Sequence, residues 1–325
     1  MTSMQASDFV RGDIGGVSST GMHYRRLGDS ALYISVISLS LQSDPAGYAS
    51  QVERHTLIQY ALSLGINHFR LASGQIPVVD IEEGLAKRGE VIFRQRDDMV
   101  ISAQVGFCPH GSPVGFGSSN HVLSSLDAIL RRTGLEYLDV LCAHRYDPSV
   151  PLEETMGALA SAVHQGKARH VGLSGFAPAP ARRAAELLVE LGTPATMCFG
   201  PLSVMHPWAE DGLLDLLEEK RIGFLSDAPL PSCFLAAAPG LEHDAWSGFA
   251  HMHPTRERAA AVFSRLAASR GQSSASLALS WVLRKRQVAS ALVGVASPEQ
   301  LQEYCAVVDY LHFTADELAE IDFYR

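Results

Sequence analysis

His144 closes the apolar run Tyr137–His144 and opens the stretch AHRYDP. An imidazole has an unperturbed pKa near 6.5, so at that place it can take or give a proton close to neutral pH. Two other apolar runs carry a polar side chain near their ends, Arg70 in Ile66–Ala72 and Gln104 in Met99–Val105. A buried guanidinium needs hydrogen-bonded anionic company. Arg70 is therefore either a clamp for a substrate carboxylate or phosphate, or the structural partner of a protein acid. Gln104 has no titratable proton; it can orient a carbonyl but cannot act as a general acid. Trp208 and Trp246 are candidates for an apolar pocket wall. Trp281 shares helical spacing with Leu277, Leu279, Val282 and Leu283 and reads as core.

Thiol and metal chemistry are weakly indicated. The five cysteines, Cys108, Cys142, Cys198, Cys233 and Cys305, are widely spaced and never form a CxxC pair. That fits a reducing cytoplasm better than a disulfide scaffold or a zinc site. Cys233 has no motif around it and reads as inert. His251 and His253, with His206 and His243 nearby, have a spacing that suits a strand or loop rather than a helical zinc motif, and no carboxylates at matching spacing accompany them. No metal is expected.

The elements that must hold these side chains alternate along the whole chain. Short apolar runs predict strands at Val36–Leu41, Ile66–Ala72, Met99–Val105, Tyr137–His144, Ala168–Leu173, Ala195–Phe199, Ile222–Ser226 and Ala289–Val293. Between them, apolar residues at three- and four-residue spacing predict helices at Val52–Leu64, Val122–Arg132, Leu152–Gln165, Ala181–Leu191 and Leu213–Lys220. Gly65, Gly134, Gly166 and Gly192 follow four of them as left-handed caps would. Pro151 with Glu153 and Glu154 opens one helix, and Ser297-Pro298-Glu299 another. Strict alternation implies parallel strands with right-handed crossovers, and eight such units close into a (β/α)8 TIM barrel. An open doubly wound sheet is the competing solution, but no GxGxxG follows the first strand. A hairpin over His23–Ser35, turning at Gly28-Asp29, is expected to plug the barrel floor. The long stretch from Leu230 to Arg256 reads as a loop after the seventh strand, on the functional face.

Residues 1–21 read as a flexible arm and residues 22–325 as one barrel domain. The arm has neither the apolar core nor the basic leader of a signal peptide, and no stretch approaches the length of a membrane helix. A net charge of −9 argues against nucleic acid or an anionic membrane as the main partner. The expected partner is a small-molecule substrate, with a homo-oligomer left open, and the expected location is the cytoplasm.

From residue 22 onward the chain resembles the aldo-keto reductase superfamily, in particular the bacterial branch near potassium-channel β-subunits. The resemblance is carried by YRRLGDSAL, by GLEYLDVLCAHRYDPSVPLEETMGALASAVHQGKARHVGLS, by EDGLLDLLEEKRIGFLSDAPL and by VGVASPEQLQEY. It implies carbonyl reduction with NADPH, in which a tyrosine donates a proton assisted by a lysine, an aspartate and a histidine. Laid on this chain, the histidine is His144, whereas the aspartate position holds Arg70, the tyrosine position Gln75 and the lysine position Gln104. The positions that hold the nicotinamide carboxamide carry Gly175 and Phe199, and the stacking aromatic is replaced by Leu202. Ala228 replaces the serine of the pyrophosphate loop, and Asp227 beside it puts a carboxylate where phosphate would pass. Ser297 stands for the arginine that clasps the 2′-phosphate and Tyr304 for the adenine-contacting asparagine.

With a tetrad and a nucleotide site both this altered, the expectation is a barrel that has given up NADP(H) and works by acid/base chemistry as a dehydratase, isomerase or cyclase on a small, anionic metabolite in a biosynthetic pathway. In that reading His144, Arg70 and Gln104 are catalytic, while Gln75, Asp227, Phe199 and Trp208 line the substrate, and no cofactor is bound. A ligand-sensing or partner-binding pseudoenzyme and an NADP-dependent oxidoreductase with a rebuilt active site are the alternatives.

Overall fold

Eight parallel strands close into a barrel in the order β10–β11–β4–β5–β6–β7–β8–β9. They are β4 (Ile37–Leu41), β5 (His68–Leu71), β6 (Val100–Val105), β7 (Leu138–His144), β8 (Ala168–Ser174), β9 (Ala195–Gly200), β10 (Gly223–Ser226) and β11 (Val288–Val293). Each lies within two residues of a predicted run. The computed structural model describes residues 14–17, 20–41, 51–71, 96–106, 115–230, 254–295 and 297–324. Around the barrel run α1 (Gln51–Ser63), α2 (Ser119–Thr133), α3 (Leu152–His164), α4 (Pro178–Glu190), α5 (Leu213–Glu219), α6 (Pro254–Ser269), α7 (Ser274–Leu283), α8 (Pro298–Cys305) and α9 (Ala315–Tyr324).

The helix boundaries follow local chemistry. Ser118 caps α2 by accepting from His121 N, its apolar stripe Val122, Leu126 and Ile129 faces the barrel, and Gly134 ends it in the left-handed region. Gly65, Gly166 and Gly192 likewise take positive φ. Ser297 caps α8, with Pro298 in its first turn. Alternation along the strands separates two apolar bodies. One lies between strands and helices and includes Phe69, Ile101, Leu141, Leu173 and the fully buried Trp281. The second fills the lumen with Val100, Val140, Cys142, Met197, Phe199, Leu225 and Leu292.

The floor is closed from the N-terminal side. β2 (His23–Arg26) and β3 (Tyr33–Ser35) form the expected hairpin, and β1 (Ile14–Val17) adds to it antiparallel on β2. Leu27 and Ile34 of the hairpin belong to the lumen cluster. Gly28, at φ +54°, sits so tightly on the chain that a Cβ would fall 2.1 Å from the Arg221 carbonyl oxygen, so only glycine lets the plug seat. Among the described residues no helix is long and apolar enough to cross a membrane.

Candidate active site

The strand ends bring two sequence-predicted side chains and a serine to the C-terminal mouth of the barrel. Gln104 on β6, His144 on β7 and Ser174 on β8 face one another, because Gln104 pairs in register with Cys142 and His144 with Ser174. Gln104 Nε2 donates to Ser174 Oγ at 2.9 Å, and His144 Nδ1 lies 2.8 Å from the same oxygen. Gln104 and Ser174 are buried, while His144 keeps part of its surface open. Burial, then the charges of Arg145 and Arg70, bring the His144 pKa down to about 4.

Across the mouth, Arg70 donates from Nη2 to Ser40 Oγ at 3.0 Å. Its side chain is partly buried, with Nε shielded from solvent, and desolvation lowers its pKa while Asp227 opposes the shift. Asp227, just past β10, is likewise partly buried; desolvation raises its pKa and Arg70 pulls it back. The two groups are thus electrostatic partners, with cation and carboxylate contributed by strands far apart in sequence. Asp227 is tied to the β9 end by its own N–H, which donates to Gly200 O at 3.1 Å.

One layer deeper the lumen holds a chain of polar contacts. Ser290 Oγ is 2.6 Å from Ser38 Oγ, Ser38 Oγ is 2.7 Å from His68 Nδ1, and His68 Nε2 is 2.9 Å from Ser102 Oγ. Desolvation first, then Arg70, hold the His68 pKa down at about 3, so this ring is neutral. Phe199 is fully buried and stacks on His68 with ring centroids 6.2 Å apart. It therefore belongs to the lumen packing beneath the mouth. Trp208 packs on the outer core, near Gly200. Gln75, Trp246, Cys108, Cys233, His243, His251 and His253 lie outside the described residues, as does most of the stretch between Leu230 and Arg256. Cys142 is buried and its thiol pKa is pushed well up by desolvation, which suits packing rather than nucleophilic chemistry.

Ser174, Ser40, His68 and Arg145 were not singled out from the sequence. Strand register was the missing signal: Ser174 is the neighbour of His144 on the next strand, Ser40 that of Arg70, and His68 lies two residues before Arg70 on the same face. Arg145 is exposed, and its side chain runs past Gly175, where a Cβ would come 3.4 Å from Arg145 Cγ.

The nucleotide positions implied by the resemblance are now visible as geometry. Phe199 and Leu202 are fully buried, and Gly175 offers no side chain. Ser297 Oγ is occupied as the α8 cap by Gln300 N, and the buried Tyr304 hydroxyl is engaged by Gln300 Nε2 at 2.9 Å. Asp227 brings a partly buried carboxylate to the pyrophosphate path. The resemblance implies other side chains at these positions for gripping NADP(H).

Comparison with known proteins decides the class of the chain. The profile of the aldo/keto reductase family matches residues 39–324. A protein named "L-glyceraldehyde 3-phosphate reductase" from Escherichia coli (strain K12) is 33% identical over 93% of this chain and 92% of its own length. The "Putative voltage-gated potassium channel subunit beta" of Schizosaccharomyces pombe is 28% identical over 92% of both chains. The "Probable aldo-keto reductase 1" of Glycine max is 26% identical over 86% of this chain and 82% of its own. Relatives named as reductases across nearly the whole barrel overturn the expectation of a cofactor-free dehydratase, isomerase or cyclase. That expectation gave decisive weight to a few side chains at the mouth, whereas the likeness extends over every β/α unit that shapes the cleft. With its altered mouth, this chain belongs to the aldo/keto reductase family.

Proposed function

We propose that the protein is an NADP(H)-linked oxidoreductase that interconverts a small carbonyl compound and its alcohol, with a short hydroxylated aldehyde bearing a phosphate as the substrate class. The observation that carries this reading is the 33% identity, over 93% of the chain, to a protein named as a reductase of such an aldehyde. Within the site, His144 is neutral at pH 7, since its pKa lies at about 4. It therefore polarises a carbonyl oxygen through a hydrogen bond instead of delivering a proton as an imidazolium. Arg70 and Asp227 keep a partly buried cation and carboxylate at the mouth, with the cation now at the family's aspartate position. The guanidinium field favours negative charge developing on the substrate oxygen. Arg145, exposed beside His144, is placed to meet the phosphate. The five cysteines, widely spaced and odd in number, fit a reducing, cytoplasmic setting.

The test is a titration of the purified protein with NADPH and NADP+, followed by nucleotide fluorescence, and then an assay of NADPH oxidation with L- and D-glyceraldehyde 3-phosphate. Saturable binding and aldehyde-dependent oxidation are expected. His144→Ala should retain nucleotide binding and lose roughly 10²–10³-fold in kcat. A protein that binds neither nucleotide at millimolar concentration overturns the reading.

A further inference from the structure

The contacts around Ser174 dictate where hydrogens must lie. The Gln104 Nε2 group is a donor only, so at 2.9 Å Ser174 Oγ accepts from it. Ser174 is fully buried, and its one hydroxyl hydrogen needs an acceptor. Among the described residues the other polar atom within reach is His144 Nδ1, at 2.8 Å. Turning that hydrogen elsewhere would leave a buried donor unsatisfied, at about 1–3 kcal/mol. Ser174 therefore donates to Nδ1, and Nδ1 carries no proton. A neutral imidazole with an unprotonated Nδ1 bears its hydrogen on Nε2.

We propose that Gln104 and Ser174 are positioning residues that lock His144 in the neutral Nε2–H tautomer, so that the ring edge away from Ser174 presents a hydrogen-bond donor to the substrate oxygen. The proposal rests on the reading of His144 as the group that polarises the carbonyl. It also gives the residue at the family's lysine position a task that needs no charge. Gln104 acts through Ser174 on the histidine, where a lysine would act through its ammonium. The direction of the relay is fixed at its first link, because an amide nitrogen can give a hydrogen and cannot accept one. An ionised carboxylate at position 104 would reverse every link: it would accept from Ser174, Ser174 would accept from Nδ1–H, and Nε2 would be left with a lone pair.

The experiment is long-range 15N–1H NMR of the full chain with labelled histidine, in the absence of nucleotide and substrate, with the His144 signals assigned by their loss in His144→Gln. The expected wild-type pattern is Nε2–H with Nδ1 as a hydrogen-bonded acceptor. In Ser174→Ala the Nδ1 resonance should move to the position of a nitrogen without that bond, and Ser174→Thr, which keeps the hydroxyl, should restore it. Gln104→Glu, read at a pH where the new carboxyl is ionised by its own 13C shift, should give the Nδ1–H form. An Nδ1–H ring in the wild type, or an Nδ1 resonance unchanged in a folded Ser174→Ala protein, overturns the proposal. Because the spectra need no turnover, failure of the relay and failure of the reductase reading are separate results. If the protein turns over, Ser174→Ala should lower kcat about tenfold with KM nearly unchanged.

Discussion

The lumen of this barrel is two different solvents side by side. Along β11, β4, β5 and β6 the inward side chains are mainly Ser290, Ser38, Ser40, His68, Arg70, Ser102 and Gln104, with Val100 and Leu292 among them. Along β7 to β10, below His144 and Ser174 at the mouth, they are Val140, Cys142, Met197, Phe199 and Leu225, and at Gly172 there is no side chain at all. A Cβ at Gly172 would lie 2.7 Å from Cys142 Sγ and 2.8 Å from Met197 Cγ, so the apolar arc closes across that glycine. The polar arc must satisfy every donor internally, because buried polar groups without partners are costly. The apolar arc supplies the low polarisability that keeps His68 and His144 neutral. The candidate site lies where the arcs meet: Gln104 crosses one seam to Ser174, and Arg70 faces Asp227 across the other. Reactive geometry here comes from the boundary, which neither arc alone can provide.

The seam between Arg70 and Asp227 should give the largest effect. Asp227→Ala removes the carboxylate whose charge offsets the desolvation of Arg70, and urea unfolding should show a loss of about 2 kcal/mol. Arg70→Met combined with Asp227→Leu converts the seam to apolar packing and should recover most of that loss. A single Asp227→Ala as mild as a surface substitution would mean that the two arcs are not joined by charge.

Much of this division could be seen in the sequence only after the barrel was closed. The strands were legible because their apolar runs are short and bounded by Gly65, Gly134, Gly166 and Gly192, whose positive φ values are local requirements. His144, Arg70 and Gln104 were legible because a polar group ending an apolar run is anomalous in itself. Ser174 and Ser40 were not, since a serine in a strand is unremarkable until register sets it beside a histidine or a guanidinium. The Arg70–Asp227 relation was hidden further, because the first and second members lie on strands brought together only by ring closure. The reaction class was misjudged for another reason: the side-chain types at a few positions were given more weight than a resemblance that already ran from residue 22 to the end of the chain.

Acid should separate the two arcs next. His68 and His144 are held neutral in the fold, at about 3 and about 4, against 6.5 unperturbed. The unfolded chain binds their protons first, so their contribution is complete above pH 6.5 and is lost as pH falls toward those folded values. Between pH 6 and 4 the loss should approach roughly 1 kcal/mol per pH unit for each histidine. Asp227 works in the opposite sense: its raised pKa costs stability as pH rises through the carboxylate range. His68→Gln should flatten the acid limb measured by urea unfolding, whereas Leu225→Ala in the apolar arc should lower stability at every pH and leave the slope alone. Equal slopes in the wild type and His68→Gln would show that the lumen histidine is not shielded as described.

The smallest expected effect is at the end of the deep polar chain. The Ser290 hydroxyl hydrogen-bonds to Ser38 alone among the described residues, and Ser290→Ala removes one hydroxyl without opening an appreciable cavity. If Ser38 donates to His68 Nδ1, Ser290 donates to Ser38, and its loss removes only one filled lone pair; about 1 kcal/mol is expected. If the chain runs the other way, His68 donates from Nδ1 to Ser38, and Ser38 donates to Ser290. The substitution would then strand a buried hydroxyl hydrogen and cost about 1–3 kcal/mol. A value at the upper end of that range would reverse the hydrogen direction along the floor and place the His68 proton on Nδ1, the opposite tautomer from that inferred for His144 one layer above.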